Sequence, residues 1–356
     1  MTLSSPPPLP LALTMGDPAG IGPDLAIEAW RLRVGHAIPP FAVFGDAQMI
    51  AERAVMLRET LPLQEIDTIE QAVALFPDAL PVVPVDLSVP CRAGTPDPGN
   101  AGAVIRAIEH AVSVVEDGRA AAVVTNPIAK SVLYQAGFIH PGHTEFLAAL
   151  ADARRPGERH RPVMLLADAT LKVVPLTVHV PLADVPGLVT RALIVETALI
   201  LHAALIRDFA IRSPRLAVAG LNPHAGEGGE IGREEIDVIS PAIAELQHKG
   251  LDVKGPLSAD TMFHGAARAH YDAAICMYHD QALIPIKTLA FDTGVNVTLG
   301  LPFVRTSPDH GTAFDLAGSG RASPSSLVSA LKLASRMAAA RAATACSASS
   351  ETRSRP

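Results

Sequence analysis

The chain has 356 residues, of which 49% are hydrophobic and 18% are charged, and its formal net charge at pH 7 is −7. A chain of this length can bury a large core and is expected to form two domains. The negative balance argues against nucleic acid or an anionic membrane as the main partner, because both require a basic face.

The distribution of apolar and charged residues predicts no targeting signal. No apolar run is long enough to span a bilayer, and the first thirty residues contain no Lys or Arg, so we expect neither a transmembrane segment nor a signal peptide. Cys91, Cys276 and Cys346 form no C-x-x-C pair, which argues against a disulfide framework or a Cys-rich zinc site. We therefore predict a cytoplasmic protein.

Short apolar runs alternate with amphipathic stretches along the chain. The pattern predicts strands over 11–15, 41–44, 82–85, 121–125, 163–166, 173–178, 216–219, 273–277 and 295–299. It predicts helices over 24–32, 101–116, 145–151, 185–207, 234–247 and 325–340. Continuous apolar runs between helices are typical of buried parallel strands, so the predicted fold class is α/β. The small, polar and Pro-rich ends, 1–10 and 346–356, are predicted to be disordered.

The first predicted strand leads into the glycine-rich stretch "GDPAGIGPD", which begins at Gly16. The Rossmann turn requires G-x-G-x-x-G, whereas the order here is G-x-x-x-G-x-G followed by Pro23, which has no N–H for a phosphate. We therefore predict a strand–turn–helix opening that is not a dinucleotide site.

Three histidines follow three of the predicted strands. His179, His224 and His279 each come at or just after the end of an apolar run. Ligands of open α/β sheets collect at the carboxyl ends of the strands, so these imidazoles are candidate ligands of one metal ion. An all-His site suits Zn²⁺, Co²⁺, Ni²⁺ or Fe²⁺, whereas Mg²⁺ prefers oxygen. For each histidine taken singly, an ordinary surface or hydrogen-bonded role is the alternative.

Further along, Lys287, Asn296 and Arg305 are spaced nine residues apart. A lysine, an amide and an arginine fork together suit a phosphate or carboxylate, and solvated surface charges are the alternative. In "GHTEF", His143 and Thr144 are further candidate contacts. The alternative is that Thr144 only caps a helix beginning at Glu145. The glycine-rich stretch 223–232 precedes a predicted helix, so its N–H groups are a candidate anion site. The alternative is that it is only a loop.

Taken together, these motifs resemble the 4-hydroxythreonine-4-phosphate dehydrogenase family of pyridoxal 5′-phosphate (vitamin B6) synthesis. The resemblance covers residues 11–337. It rests on "GDPAGIGPD", "GHTEF", "TVHVPL", "GLNPHAGEGG", "ADTMF", "MYHDQ" and "GVNVTLGLPFVRTSPDHGTA". The chain departs from the family pattern in its Pro-rich start, its extended tail and the spacing around "ARRPGERHRP".

The resemblance implies a fold and a cofactor. The family is similar to the isocitrate and isopropylmalate dehydrogenases, with two α/β/α domains and a cleft between them. The implied first domain is 11–135 plus 289–345, and the second, 136–288, carries the interface of a homodimer with shared active sites. NAD or NADP is the implied cofactor, and by analogy with those relatives it contacts the loop made by His310, Gly311, Thr312 and Ala313.

The resemblance also assigns roles to site residues. His179, His224 and His279 hold one divalent cation per site, Zn²⁺ first, with Co²⁺ or Mg²⁺ as alternatives. The phosphorylated substrate contacts His143, Thr144, Lys287, Asn296 and Arg305. Lys287, Asp260 and Asp280 are the candidate catalytic residues; the two aspartates either orient ligands or carry a proton, and capping or surface charge is the plain alternative.

The implied reaction is oxidation of 4-phosphooxy-L-threonine at C3, followed by decarboxylation to 3-amino-2-oxopropyl phosphate. One rival is a dehydrogenase of a four-carbon sugar-acid phosphate, such as erythronate or threonate 4-phosphate, with the same metal and cofactor. A phosphate acyltransferase of similar fold is a rival from another class, but it needs no histidine triad. A non-catalytic metal-binding protein leaves the anion-binding residues unexplained.

Overall fold

The computed structural model describes residues 9–353, with side chains to residue 346. Contacts divide the chain into two compact units. Unit 1 comprises the chain up to Pro162 together with Leu301–Ala338, and unit 2 comprises Val163–Gly300 and the chain from Ala339 onward. Each unit is built on its own strands and is described separately.

The elements follow one another in alternating order. The strands are β1 (Leu11–Thr14), β2 (Phe41–Gly45), β3 (Leu63–Glu65), β4 (Leu80–Pro84), β5 (Val123–Thr125), β6 (Val163–Ala167), β7 (Lys172–Thr177), β8 (Arg215–Ala219), β9 (Asp252–Leu257), β10 (Ala273–Tyr278), β11 (Val295–Leu299) and β12 (Arg305–Pro308). The α-helices are α1 (Gly22–Arg31), α2 (Ala47–Met56), α3 (Ala72–Leu75), α4 (Ala101–Glu116), α5 (Lys130–Gln135), α6 (His143–Arg154), α7 (Val185–Leu188), α8 (Arg191–Arg207), α9 (Ser240–His248), α10 (Gly265–Arg268), α11 (His279–Ala290) and α12 (Ser325–Arg353). The predicted α/β class is confirmed.

Unit 1 has the strand order β3-β4-β2-β1-β5-β12, and its strand pairs are parallel. All four residues of β1 are buried, as a strand covered on both faces requires. Helix α4 contributes a buried face whose members recur at intervals of three and four residues: Val104, Ala107, Ile108 and Ala111. Parallel pairing brings the carboxyl ends of β1, β5 and β12 to the same edge of the sheet.

Unit 2 has the strand order β11-β6-β7-β10-β8-β9. Strands β7, β10, β8 and β9 pair in parallel, but β6 is antiparallel to both β7 and β11. The prediction of parallel strands is therefore wrong for 163–166 and 295–299. The cause is the four-residue turn between β6 and β7, since so short a connection can join only antiparallel neighbours. Asp168 holds this turn by accepting the N–H of Thr170 at 3.0 Å.

The unit boundaries fall later along the chain than the predicted ones at 135 and 288. Helix α6 is grouped with unit 1, because Arg154 and Arg155 both pair with Glu116 of α4, at 3.0 and 2.5 Å. At the end of the chain, α12 continues to Arg353, so the tail predicted to be disordered from 346 is helical over 346–353. Residues 1–8 and 354–356, also predicted to be disordered, lie outside the described residues.

The helix predicted over 185–207 is broken. Helix α7 ends before Val189, and Thr190 caps α8 by accepting the N–H of Leu193 at 3.2 Å. No single helix in the part of the chain that the structure describes is long and apolar enough to cross a membrane; only this pair, bent by 88°, reaches that length and composition together.

Candidate functional site

The glycine-rich turn after β1 uses its own backbone groups for packing. The N–H groups of Asp17, Ala19, Gly20 and Ile21 all donate to oxygen atoms of unit 1, at 2.8–3.0 Å. Gly16 has φ +75°, and a Cβ there would lie 2.6 Å from the carbonyl oxygen of Pro127. These contacts bring the backbones of the turn and its neighbours close together, and these four N–H groups are used within the unit.

This turn supports the loop predicted to contact the dinucleotide. Ile21 donates its N–H to the carbonyl oxygen of Thr312 at 3.0 Å, and a Cβ on Gly20 would lie 2.9 Å from that same oxygen. The next residue, Ala313, has a left-handed backbone with φ 40°. The Nε2 atom of His310 is buried and has no hydrogen-bond partner among the described residues.

A buried ion pair stabilises the turn after β1. Arg53 pairs with Asp24 and also donates to the carbonyl oxygens of Pro18 and Gly20, at 2.9 and 2.8 Å. The second oxygen of Asp24 accepts the N–H of Gly318 at 2.7 Å. The turn after β1 and the segment from His310 to Gly318 are therefore held as one assembly.

Arg305 is the first residue of β12 and is only 4% exposed. Its guanidinium donates to the Thr125 hydroxyl, at the end of β5, at 2.6 Å. Burial lowers the pKa of Arg305 to about 10, and Glu145 acts in the opposite direction. A cation that has lost its hydration at a strand end gains most from an anionic ligand.

His143 lies near Arg305 in the same unit. Burial, Arg305 and Lys130 together hold the pKa of His143 well below its usual value, so the imidazole is neutral at pH 7. Its Nε2 atom is buried without a hydrogen-bond partner among the described residues. Helix α6 begins at His143 with Gly142 as its N-cap, so Thr144 lies in the first turn, and the interpretation of Thr144 as the cap is wrong.

Sequence reasoning missed three buried polar residues at the same edge of unit 1. Thr14, Asp17 and Asn126 are at most 4% exposed and follow or end β1 and β5. Burial raises the pKa of Asp17. The Thr14 hydroxyl and the Asn126 side-chain oxygen have no hydrogen-bond partner among the described residues. The available signal was their position, since Thr14 ends β1, Asp17 lies three residues beyond it and Asn126 directly follows β5.

Unit 2 brings two of the three predicted metal ligands together. His179 follows β7 and His279 begins α11 directly after β10, and these two strands are parallel neighbours. Their ring centroids are 5.6 Å apart. Because Zn–N bonds are about 2.0–2.1 Å long, two imidazoles on one tetrahedral cation have centroids roughly 5–6 Å apart. The separation of the two rings is therefore within the range that a shared metal ion would require.

His224 lies in a different kind of segment. It follows β8 within Pro223–Gly229, where residues 224–228 all have positive φ angles, with φ 51° at His224 itself. A hydrogen bond from the Ser258 hydroxyl at 2.5 Å lowers the pKa of Asp260, and the charge of His224 acts in the same direction. Asp280 lies 2.7 Å from the Nδ1 atom of His279. Asp280 is thus in direct contact with one predicted metal ligand.

The three histidines are not gathered into one cluster. Within the described part of the chain, no group of three or more His, Cys, Asp or Glu side chains could hold a metal ion. Of the remaining predicted substrate contacts, Lys287 lies on α11 with its Nζ atom 5.9 Å from the Phe291 ring centroid. Asn296 lies on β11, and its buried side-chain oxygen has no hydrogen-bond partner in the described residues.

Comparison with known proteins gives a consistent family. The family model described as "Pyridoxal phosphate biosynthetic protein PdxA" matches residues 37–334. The chain is 56% identical over 331 residues to a 4-hydroxythreonine-4-phosphate dehydrogenase of Methylorubrum populi, covering 92% of this chain and 94% of that protein. A protein of the same name from Bradyrhizobium diazoefficiens is also 56% identical, over 93% of this chain and 98% of its own length.

A solved structure agrees with these relatives. The crystal structure of a 4-hydroxythreonine-4-phosphate dehydrogenase from Klebsiella pneumoniae is 36% identical to this chain and superposes with a TM-score of 0.82. The match covers 93% of this chain and 99% of that one. Sequence, length and fold therefore agree, and the chain belongs to the PdxA family of pyridoxal phosphate biosynthetic proteins.

Proposed function

We propose that this chain oxidises 4-phosphooxy-L-threonine at C3 with NAD or NADP and then decarboxylates the product to 3-amino-2-oxopropyl phosphate. In the first step C3 gives a hydride to the nicotinamide and the C3 hydroxyl loses its proton. The resulting ketone is β to the carboxylate, so the C–C bond to the carboxylate breaks and CO₂ leaves. The electron pair of that bond forms a C2–C3 enolate, which takes up a proton at C2. The main support for this proposal is that relatives named 4-hydroxythreonine-4-phosphate dehydrogenase are 56% identical to the chain over nearly its whole length.

We propose His179, His224 and His279 as ligands of one divalent cation, Zn²⁺ first, with Co²⁺ or Mg²⁺ as alternatives. The proposed metal site is supported by the close approach of the His179 and His279 rings, which lie at the ends of neighbouring strands. When bound, such a cation draws electron density from the substrate hydroxyl and eases the loss of its proton. Asp280 contacts the Nδ1 atom of His279, which orients the ring. We propose a similar role for Asp260 near His224, whose charge lowers the Asp260 pKa.

The proposed substrate contacts are Lys287, Asn296, Arg305, His143 and Thr144. Arg305 supplies a desolvated guanidinium suited to a phosphate or carboxylate. The neutral His143 offers a ring nitrogen to a substrate hydroxyl or amine without adding charge. The side-chain oxygen of Asn296 accepts a substrate donor, and Lys287 supplies a second cation and the proton transfers expected of a catalytic lysine.

We propose that two copies form a homodimer whose active sites draw residues from both subunits. The resemblance to the family implies such sites, to which both partners contribute residues. Unit 2 also exposes large apolar side chains of a kind that interfaces cover, with Leu182, Ile284 and Phe291 exposed by 66%, 65% and 76%. Nucleic acid and membrane are not proposed as partners, and the proposed location is the cytoplasm.

The reaction is tested by following NADH formation with purified protein, Co²⁺ or Zn²⁺ and 4-phosphooxy-L-threonine, with release of CO₂ measured in parallel. Erythronate 4-phosphate serves as the competing substrate, and acyl transfer from acetyl-CoA to phosphate is assayed as the rival reaction. Higher kcat/KM for the threonine phosphate with equal NADH and CO₂ supports the proposal. A preference for erythronate 4-phosphate, or acyl transfer without NADH formation, contradicts it.

The proposed role of the loop His310–Ala313 gives a prediction at Gly20. We expect Gly20→Ala to raise the KM for NAD by about tenfold, because overpacking costs roughly 1–3 kcal/mol and the new Cβ would lie 2.9 Å from the Thr312 carbonyl oxygen. The KM for the phosphorylated substrate should change less than about twofold. Gly35→Ala is the matched control, since a Cβ there meets nothing within 4 Å. A wild-type KM for NAD in Gly20→Ala would remove this loop from the cofactor site.

A further inference from the structure

The segment that carries His224 has a backbone that L residues adopt reluctantly. His224, Ala225 and Glu227 have φ angles of 51°, 53° and 45°, and the glycines between and after them are also positive. Several consecutive left-handed residues with side chains require outside support, because sterics disfavour each of them. The support lies in two buried side chains that the proposed chemistry does not use.

Glu235 is the first of these side chains. It lies in the π-helical turn Glu235–Ile239 and is 3% exposed. One carboxylate oxygen accepts the N–H groups of Leu221 and Asn222, at 2.7 and 2.8 Å, and the other accepts the Asn222 side-chain amide at 2.9 Å. A Cβ on Gly226 would lie 2.7 Å from this carboxylate. The left-handed segment and the residues just before it therefore pack closely against the Glu235 carboxylate.

Gln281 is the second. Its side-chain oxygen accepts the N–H of Met277 in β10 at 2.6 Å, and its amide donates to the carbonyl oxygen of Gly220, just after β8, at 2.8 Å. Thr177, the last residue of β7, donates its hydroxyl to the carbonyl oxygen of Met277 at 2.8 Å. These bonds join the carboxyl ends of the three strands that precede His179, His224 and His279.

We propose that Glu235 and Gln281 are positioning residues: Glu235 holds His224 in its left-handed conformation, and Gln281 sets the position of that segment relative to His279. The inference rests on the proposed metal site. The hydrogen bonds given above run mainly to backbone groups of the ligand-bearing segments, so both side chains act through the backbone. They thus hold the ligand-bearing segments in place before any cation binds, so that less conformational entropy is lost on binding.

The test uses Co²⁺ as the probe, with its dissociation constant and visible absorption spectrum as readouts that do not depend on turnover. Gln281→Leu removes both hydrogen bonds at similar size. Glu235→Gln keeps the shape but places an amide against the Asn222 amide. Each is expected to weaken Co²⁺ binding by about 10- to 100-fold, as observed for residues that orient metal ligands. Gln281→Glu keeps an acceptor for Met277 and should give an intermediate constant.

Two matched controls separate positioning from general stability. Asp272 accepts the Arg215 N–H at 2.8 Å at the amino ends of the same two strands, β8 and β10, so Asp272→Asn loosens their far end. Gln247 donates its amide to the Val253 carbonyl oxygen at 2.8 Å elsewhere in unit 2, so Gln247→Leu removes an equivalent bond. Both controls should bind Co²⁺ within about twofold of wild type, whatever their thermal midpoints.

The possible outcomes distinguish a failure of the positioning role from a failure of the proposed metal site on which it rests. If wild-type protein and His279→Ala bind Co²⁺ equally, the metal site fails and the inference fails with it. If His279→Ala loses Co²⁺ while Gln281→Leu and Glu235→Gln bind it as wild type does, only the positioning role is wrong. Equal weakening in Asp272→Asn would also overturn it, because the effect would then follow stability alone.

Discussion

Replacing His179, His224 or His279 by alanine is expected to remove the bound divalent cation and to lower kcat/KM by about a thousandfold or more. The physical reason is that each variant leaves too few ligands to retain the cation, and the charge stabilisation lost with it is worth several kcal/mol. Metal content per subunit and NADH formation are the two measurements. Each variant should keep the wild-type far-UV circular dichroism, because His179 and His279 lie at strand ends rather than in the core.

His270→Ala is the control for this series, since His270 is an exposed histidine of the same unit. It should keep full metal content and turnover. Wild-type metal content and turnover in any one of the three alanine variants would show that the residue in question is not a ligand.

The same variants test whether the sites are shared between subunits. Mixing equal amounts of two inactive variants, His279→Ala and Arg305→Ala, and refolding them together makes about half of the dimers mixed. If the two residues reach one site from different subunits, each mixed dimer has one intact site, so about a quarter of wild-type activity returns. No recovery in confirmed mixed dimers, or a monomer by light scattering, would contradict this arrangement.

Arg305→Ala is expected to raise the KM for the phosphorylated substrate by about 30- to 1,000-fold, equivalent to roughly 2–4 kcal/mol for a charge-assisted contact left unmade. The effect should be large because Arg305 is buried, so water does not screen its charge. Lys287→Ala should act in the same direction. The KM for NAD should change far less in both variants.

Arg119→Ala is the matched control for Arg305. Arg119 is an exposed arginine of unit 1 that pairs with Glu70 at 2.7 Å, and surface pairs of this kind contribute about 0–1 kcal/mol. It should leave both KM values near wild type. If Arg305→Ala and Lys287→Ala also keep the wild-type substrate KM, neither residue belongs to the substrate site.

Hydropathy alone located most of the buried strands, because a strand covered on both faces is a continuous apolar run. It missed β12, whose residues Arg305–Pro308 are buried yet mostly polar. It also could not give strand direction, which for β6 follows from the length of one turn. Helix α11 escaped prediction because it begins directly after a strand and contains Pro285.

The candidate site was predictable in its residue types and strand-end positions, but not in its backbone. The segment with the left-handed conformation at His224 is hydrogen-bonded through Asn222 to Glu235, eleven residues beyond His224, and Gly220 accepts a hydrogen bond from Gln281, still further along. No local pattern encodes such support. The same holds for Gly20, where the need for a glycine arises from Thr312, almost three hundred residues away.

The discontinuity of unit 1 has a consequence for the order in which the protein matures on the ribosome. All six strands of unit 2 lie within the single stretch Val163–Gly300, whereas unit 1 needs Leu301–Ala338 in addition to the first part of the chain. Synthesis from the amino terminus therefore delivers a complete unit 2 sheet while unit 1 still lacks β12. The nascent chain therefore acquires its histidine-bearing strand ends before Arg305, the proposed anion-binding residue, and the loop that follows it.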